Sequence, residues 1–331
     1  PKIIGFSAIK NFFLLIQLNY KNVIKIRIMK REKIIIGSRG SRLATIYADN
    51  VKVKLKEVFF KDIKIKKIVT PGDENQKDRL SNLGGKGLFS NKIEDELLEN
   101  KIDIAVHALK DMPSIETDGL ETNYFLKRNS PNEILVSNKK IKFNDLKPNS
   151  IVGTSSYRRE YQLKNKRSDL DYKLIRGNVD TRIKKMENGD YDAIILSKAG
   201  IDSLEINKII TEEFKTDDLI PCAGQGIIAI QCRDSDIEIK QLLEKINDKH
   251  SRIRANTERE VLKTLEGDCD TAVGAFSNID GSNISLCAEL FSVDGKHRYF
   301  VKETKDINLA KELGREVGEA LKSQSKGSYK R

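Results

Sequence analysis

Residues 102–113 read IDIAVHALKDMP. The apolar run Ile104-Ala105-Val106 has the character of a buried strand. His107, Lys110 and Asp111 follow at once. Met112-Pro113 then closes the stretch, because proline biases the residue before it toward extended backbone. A strand thus leaves a core and delivers an imidazole, an ammonium and a carboxylate at its carboxyl end. In open α/β sheets ligands sit there. Alone, the stretch equally fits a strand followed by a solvated charged turn, so its neighbours decide.

Upstream, KIIIG (33–37) reads as a strand, SRGSR (38–42) as a polar turn, and residues 43–58 as a helix. Strand, Gly/Ser turn and helix point backbone N–H groups and a helix N-terminus at an anion, and Arg39 adds a cation. Residues 63–70 alternate Ile and Lys as a half-buried strand. A polar run then leads to GGKGLF (84–89), three glycines in four residues. That marks a loop long enough to be functional, and it lacks P-loop spacing. A helix over 91–100 feeds the opening strand.

Strands over 120–128 and 133–137 flank a Ser130-Pro131 break, the crossover to a second α/β unit. There a strand (150–153) meets Thr154-Ser155-Ser156, good N-cap residues. The helix over 157–165 begins with Arg158-Arg159. Hydroxyls, free N–H groups and two guanidiniums at one helix start suit an oxyanion; a solvated helix face is the alternative. A strand over 172–175 runs into Arg176, the next helix carries Arg182, and 192–196 is a further strand. Cations thus recur after strand ends. The Gly-rich turn at 219–226 precedes a strand (227–232) that returns to the first unit. Helices over 236–246 and 251–265 follow, then strands near 272–277, 283–290 and 298–302 and a helix over 307–322, a small α+β unit. The expected domains are 31–127 with about 226–246, then 128–225, then 247–331.

At 331 residues, two or three domains are expected. The net charge of +11 is concentrated at the ends: residues 1–30 carry six Lys/Arg and residues 322–331 carry four, with no acid in either. Taking off those charges leaves about +1 for the body, with no Trp, which weakens a nucleic-acid role. The four cysteines form no C-x-x-C pair and there are only three histidines, so a zinc site is disfavoured and a reducing cytoplasm fits. The apolar run over 9–18 is too short to span a membrane. Residues 1–30 are read as an extension outside the fold, with Met29 as the natural start and a targeting segment as the alternative. Cys269 lies between Asp268 and Asp270. Acidic neighbours raise a thiol pKa, which disfavours a turnover nucleophile and suits a single permanent attachment.

Eight segments in order resemble the porphobilinogen deaminase (hydroxymethylbilane synthase) family: GSRGSRLA from Gly37, GGKGLF from Gly84, DIAVHALKDMP from Asp103, VGTSSYRRE from Val152, LIRGNVDTR from Leu174, GDYDAIILSKAG from Gly189, PCAGQG from Pro221 and LEGDCDTAVG from Leu265. The resemblance runs from about Lys33 to the C-terminus. It implies an α/β fold of two type II periplasmic-binding-protein-like domains flanking a cleft, plus a small α+β C-terminal domain. It implies head-to-tail condensation of four porphobilinogen molecules with loss of ammonia to give hydroxymethylbilane, and a dipyrromethane cofactor in thioether linkage to Cys269. No metal or nucleotide is implied, no nucleic-acid or membrane partner, and a cytoplasmic monomer.

By that resemblance Asp111 is the catalytic carboxylate, stabilising the electron-poor pyrrole cation left when ammonia departs and sharing in proton transfer. Each pyrrole carries an acetate and a propionate. Arg39, Lys86, Lys110, Arg158, Arg159, Arg176 and Arg182 answer those carboxylates, Ser41, Thr154, Ser155 and Ser156 add donors, and Gln225 completes the set. Phe89 packs over the pyrrole on a lid loop spanning 74–90, and His107 is left out of the set, read as a structural residue of the strand end. The chain departs from the family's common residues at Ala108, Asn82, Ser203, Asp268 and Ala272. A reading of another class, a non-catalytic ligand-binding protein, needs the anion sites but neither Asp111 nor Cys269.

Overall fold

A computed structural model describes residues 31–70, 87, 90–267 and 271–330. Residues 34–331 make up one compact unit. β1 (Lys33–Arg39) passes through Ser41 into α1 (Arg42–Lys56), and the Ser41 hydroxyl caps the helix by accepting from the Ala44 N–H at 3.3 Å. Tyr47, Ala48, Val51 and Leu55 form the buried stripe of α1. β2 (Asp62–Ile68), α2 (Asn91–Leu98), β3 (Ile104–Ala108) and β4 (Leu120–Phe125) follow. β3 is buried until Ala108, and a single 3₁₀ turn, Leu109–Asp111, ends it. The opening stretch of sequence therefore behaves as its pattern dictates.

The chain then lays down β5 (Glu133–Ser137), β6 (Ile151–Gly153), α3 (Tyr157–Lys166), β7 (Asp171–Lys173), α4 (Val179–Glu187), β8 (Ala193–Ser197), α5 (Lys198–Ser203) and β9 (Glu212–Phe214). It returns through β10 (Ile228–Arg233) and α6 (Ile237–Ile246). Last come α7 (Lys249–Leu265), β11 (Val273–Asp280), β12 (Asn283–Phe291), β13 (Arg298–Asp306) and α8 (Ala310–Ser325).

The first sheet has the order β2-β1-β3-β10-β4 and the second β7-β6-β8-β5-β9. In the first, β1 and β3 are parallel while β10 runs antiparallel to β3 and β4. In the second, β6 is parallel to β7 and β8 while β5 runs antiparallel to β8 and β9. Each sheet thus repeats one plan, and its fourth strand is supplied by a segment that has just crossed from the other. This is the type II arrangement that the sequence resemblance implies. The third sheet, β11-β12-β13, is antiparallel and buries Leu286, Leu290, Val261, Leu313, Val317 and Leu321 in a shared core with α7 and α8.

Among the described strands and α-helices, two have no counterpart in the sequence pattern. β9 spans three residues, and its pairing with β5 holds it rather than any pattern of its own. α5 is six residues long, below the length at which periodicity is legible. The strand expected over 172–175 instead spans Asp171–Lys173, so Arg176 stands off the strand.

The two crossovers run beside each other. The Asn129 N–H donates to the Gly226 carbonyl (2.8 Å), Arg128 Nε to the Gln225 carbonyl (2.9 Å), and Gln225 Nε2 to the Pro131 carbonyl (2.7 Å). Gly226 has φ +82°, and a Cβ there would lie 2.7 Å from the carbonyl oxygens of Asn129 and Ser130. Both objections are to backbone, which cannot swing aside. Gly226→Ala is therefore expected to destabilise by about 2 kcal/mol or more, through strain added to ordinary mutational cost; a thermal melt unchanged from the parent would contradict this.

Candidate active site

Parallel strands bring the ends of β1 and β3 together in one sheet, and those of β6 and β8 in the other. Groups from the two sheets meet. Lys110 Nζ donates to Ser197 Oγ at 3.3 Å, which joins the end of β3 to the end of β8. Arg42 at the start of α1 lies 3.8 Å from Asp180 at the start of α4. A recess is lined by Arg39, Ser41, Leu43, Ala44, Tyr47, Ser90, Val106, His107, Ala108 and Asp111. Asp111 is half-buried there.

The charges around Asp111 register in its neighbours. Burial first, then the Asp111 carboxylate, push the Tyr47 phenol up to about 12. Burial and the like charges of Arg159 and Arg176 bring the Arg182 guanidinium down to about 10, while Asp111 opposes that fall. Burial and then Arg39 lower Arg176. Residues from β1, β3, α3, α4 and the segment after β7 therefore share one electrostatic neighbourhood. Guanidiniums so close repel, and an anion relieves that repulsion.

Arg158 and Arg159 are buried rather than solvated. Their Nη2 atoms donate to the two oxygens of Glu133, at 2.6 and 2.7 Å, and Glu133 is wholly enclosed. Arg158 Nη1 also donates to the Ile220 carbonyl (2.8 Å) and Arg159 Nη1 to the Ile195 carbonyl (3.1 Å). Burial alone would raise the Glu133 carboxyl, but Arg159 and Arg158 overcome it and hold it at about 2. Glu133 thus fixes both forks at the start of α3. The Nε atoms of Arg158, Arg159 and Arg176 are buried with no hydrogen-bond partner among the described residues. Buried donors of this kind are rarely left unmatched in native proteins.

The hydroxyl-bearing turn is divided in its roles. Thr154 is buried, and its hydroxyl accepts from the Ser156 N–H at 3.2 Å. Ser156 caps α3, accepting from the Arg159 N–H at 3.4 Å, and Ser155 stands between them half-buried. Gln225 does not join the site. It is enclosed in the crossover, where its amide donates to Pro131 and its oxygen accepts from the Cys222 thiol at 3.5 Å. Lys86, Phe89, Cys269 and most of the lid expected over 74–90 lie outside the described residues, as do Asn82 and Asp268. Gly267, two residues before Cys269, accepts from Ser114 Oγ at 3.3 Å, and Arg259 Nη2 donates to the Pro113 carbonyl at 2.8 Å. The end of α7 is thereby tied to the segment that follows Asp111.

Glu133 and Tyr47 go unnoticed in the sequence. A carboxylate opening the apolar strand EILVS is a signal in hindsight, since a charge in a buried strand needs partners. Tyr47 lies on the apolar stripe of α1 and reads as core. Among the described residues no group of three or more His, Cys, Asp or Glu side chains is placed to hold a metal, and no helix is long and apolar enough to cross a membrane.

The family model described as "Porphobilinogen deaminase, dipyromethane cofactor binding domain" matches residues 34–241, and "Porphobilinogen deaminase, C-terminal domain" matches residues 252–323. A porphobilinogen deaminase of Geobacillus sp. (strain WCH70) is 41% identical over 87% of this chain and 93% of its own length. That of Staphylococcus carnosus is 40% identical over 88% and 95%, and that of a Wolbachia of Drosophila simulans 41% over 87% and 98%. Solved structures align loosely: the BvgS periplasmic VFT2 domain of Bordetella pertussis covers 65% of this chain and 86% of its own at 14% identity and a TM-score of 0.42. The strand order, repeated in the two five-stranded sheets, carries the fold.

Proposed function

The chain belongs to the porphobilinogen deaminase family, and from that premise we propose that it condenses four porphobilinogen molecules head to tail, releasing ammonia, to give hydroxymethylbilane. The observation that carries the reading is the half-buried carboxylate of Asp111 set among Arg39, Arg176 and Arg182, in a recess shared with Ser41. When ammonia leaves the substrate's aminomethyl carbon, positive charge spreads into the pyrrole. A fixed carboxylate beside that ring stabilises the charge where water is excluded. Asp111 also accepts and returns the proton that must move as the new carbon–carbon bond forms. Lys110, held by Ser197, and the guanidiniums take the acetate and propionate groups and orient the ring.

The residues present fit a dipyrromethane. Its carboxylates match the buried Nε donors of Arg158, Arg159 and Arg176, which have no partner among the described residues. Attached through a thioether to Cys269, the group supplies the free pyrrole α-position that starts the chain. The sequence resemblance assigns Lys86 and Phe89 to the same ligands. We take the sheets to define three domains, 31–127 with about 226–246, 128–225 and 247–331. The enzyme acts as a cytoplasmic monomer without nucleic-acid or membrane partners.

Incubation with porphobilinogen, followed by acid and oxidation, should yield porphyrin absorbance. Intact-protein mass spectrometry should find two pyrrole units on Cys269. Active protein carrying an unmodified Cys269 thiol would overturn the cofactor assignment. Binding of porphobilinogen without any ammonia release would favour the ligand-binding protein instead.

A further inference from the structure

His107 borders the recess, and a chain of buried polar groups runs away from it. His107 Nε2 lies 3.2 Å from Gln231 Oε1, Gln231 Nε2 donates to Glu94 Oε1 at 2.9 Å, and Thr117 Oγ donates to Glu94 Oε2 at 2.9 Å. Gln231 is wholly enclosed, and Glu94 and His107 nearly so. The register of β3 and β10 sets Ala229 opposite His107, so Gln231, two residues on, shares its face. β10 shifts register against β4 between Ile230 and Gln231, an irregularity of the kind that re-aims side chains beside sites. Neither Gln231 nor Glu94 belongs to the carboxylate-binding set, and the proposed chemistry gives the relay no task.

The relay has one consistent direction. A carboxylate offers only acceptors, so the amide nitrogen of Gln231 must face Glu94. The amide oxygen therefore faces His107, and the ring nitrogen that meets it must carry the hydrogen. In a neutral imidazole the other nitrogen, Nδ1, then has a free lone pair. Burial, opposed in part by the Gln231 bond and reinforced by Arg39, brings the ring down to about 4, so it is neutral near pH 7.

We propose that His107 is a ligand-contacting residue of this reaction: a neutral acceptor whose Nδ1 lone pair is fixed toward the recess by Gln231, Glu94 and Thr117, and which receives an N–H of the pyrrolic substrate. The inference rests on the deaminase reading for the identity of that donor. It gives the recess, lined otherwise by Arg39, the hydroxyls of Ser41, Tyr47 and Ser90 and apolar side chains, a neutral ring-nitrogen acceptor beside Asp111. Gln231 and Glu94 are positioning residues that act through the ring. A neutral acceptor selects for an N–H without competing with Asp111 for the developing charge.

The chain has three histidines, so ¹⁵N-histidine-labelled protein gives a readable spectrum in which His107 is identified by its loss in His107→Gln. The expected result near pH 7 is a neutral ring with its proton on Nε2, and a shift of the Nδ1 resonance when porphobilinogen is added. A proton on Nδ1, or a charged ring, would overturn the proposal. In kinetics His107→Gln keeps a donor for Gln231 but loses the acceptor. It should lower kcat/KM about tenfold at near-parental Tm, whereas His107→Asn, with an oxygen at the δ position, should recover activity while melting lower. Full activity in His107→Gln would refute the contact. Gln231→Met, which leaves the imidazole in place, should mix the two tautomers and reproduce the loss; an unchanged tautomer would refute the relay. The tautomer is read without substrate, so its failure is distinct from that of the deaminase reading, which shows as no turnover by the unaltered chain.

Discussion

Asp111→Ala is expected to lower kcat for porphobilinogen by about 10²–10⁴-fold while leaving substrate affinity within a few-fold. The carboxylate borders the recess with Arg39 and Ser41, and its charge is felt by Tyr47 on α1 and Arg182 on α4. On the proposed reading the substrate's own carboxylates go to the cations and not to Asp111. Loss of Asp111 therefore removes little ground-state binding. It removes the negative charge that faces the cation after ammonia leaves, an interaction made only along the reaction. Asp111→Glu keeps the charge but displaces it by one methylene, so it should retain part of the activity. Rapid-quench turnover, with binding measured separately by calorimetry, checks both variants. A change in KM alone would remove Asp111 from the chemistry and leave it a binding group.

Glu133→Gln is expected to cost roughly 3–5 kcal/mol, because it leaves two buried guanidiniums without a counter-charge. With an unfolding entropy of about 2.1 cal/mol/K per residue, that corresponds to a fall of roughly 5–8 °C in Tm. The pH dependence follows from the same group. The carboxyl is held at about 2 against an ordinary 4.5, so the folded form is the weaker proton binder. Its stabilisation is fully present above about pH 4.5 and is lost as pH falls toward 2. The parent should lose stability through that acid window, and Glu133→Gln should lose less of it. Thermal melts at pH 3, 4 and 6 test this. Equal acid sensitivity in parent and variant would show that the pair does not carry the effect.

Asp111 was legible because its signal is local. An apolar run that stops at a histidine, a lysine, an aspartate and a proline must put those groups at a strand end, whatever the rest of the chain does. The same holds for Arg39 and Ser41 after β1 and for Ser156 at the start of α3. There the cap is formed within three residues, by Ser156 Oγ accepting from the Arg159 N–H. Local hydrogen bonding and side-chain period are properties of short windows, and a sequence displays them directly.

What a side chain does once it arrives was a different matter. Arg158 and Arg159 read as free cations, yet Glu133, 25 and 26 residues upstream, shares its two oxygens between them. Gln225 reads as a site residue inside a Gly-rich motif. The crossover instead encloses it against Pro131, 94 residues away. The sequence leaves His107 without a partner, and β10 supplies one by setting Gln231, 124 residues on, against its ring. The sequence by itself determined the strand ends, their polar cargo and the repeated α/β plan, since those follow from composition over a few residues. Only the tertiary structure decided which charges neutralise one another and which stay available to a ligand. A buried charge is governed by its partners in space, and in this fold those partners come from strands that cross between the sheets.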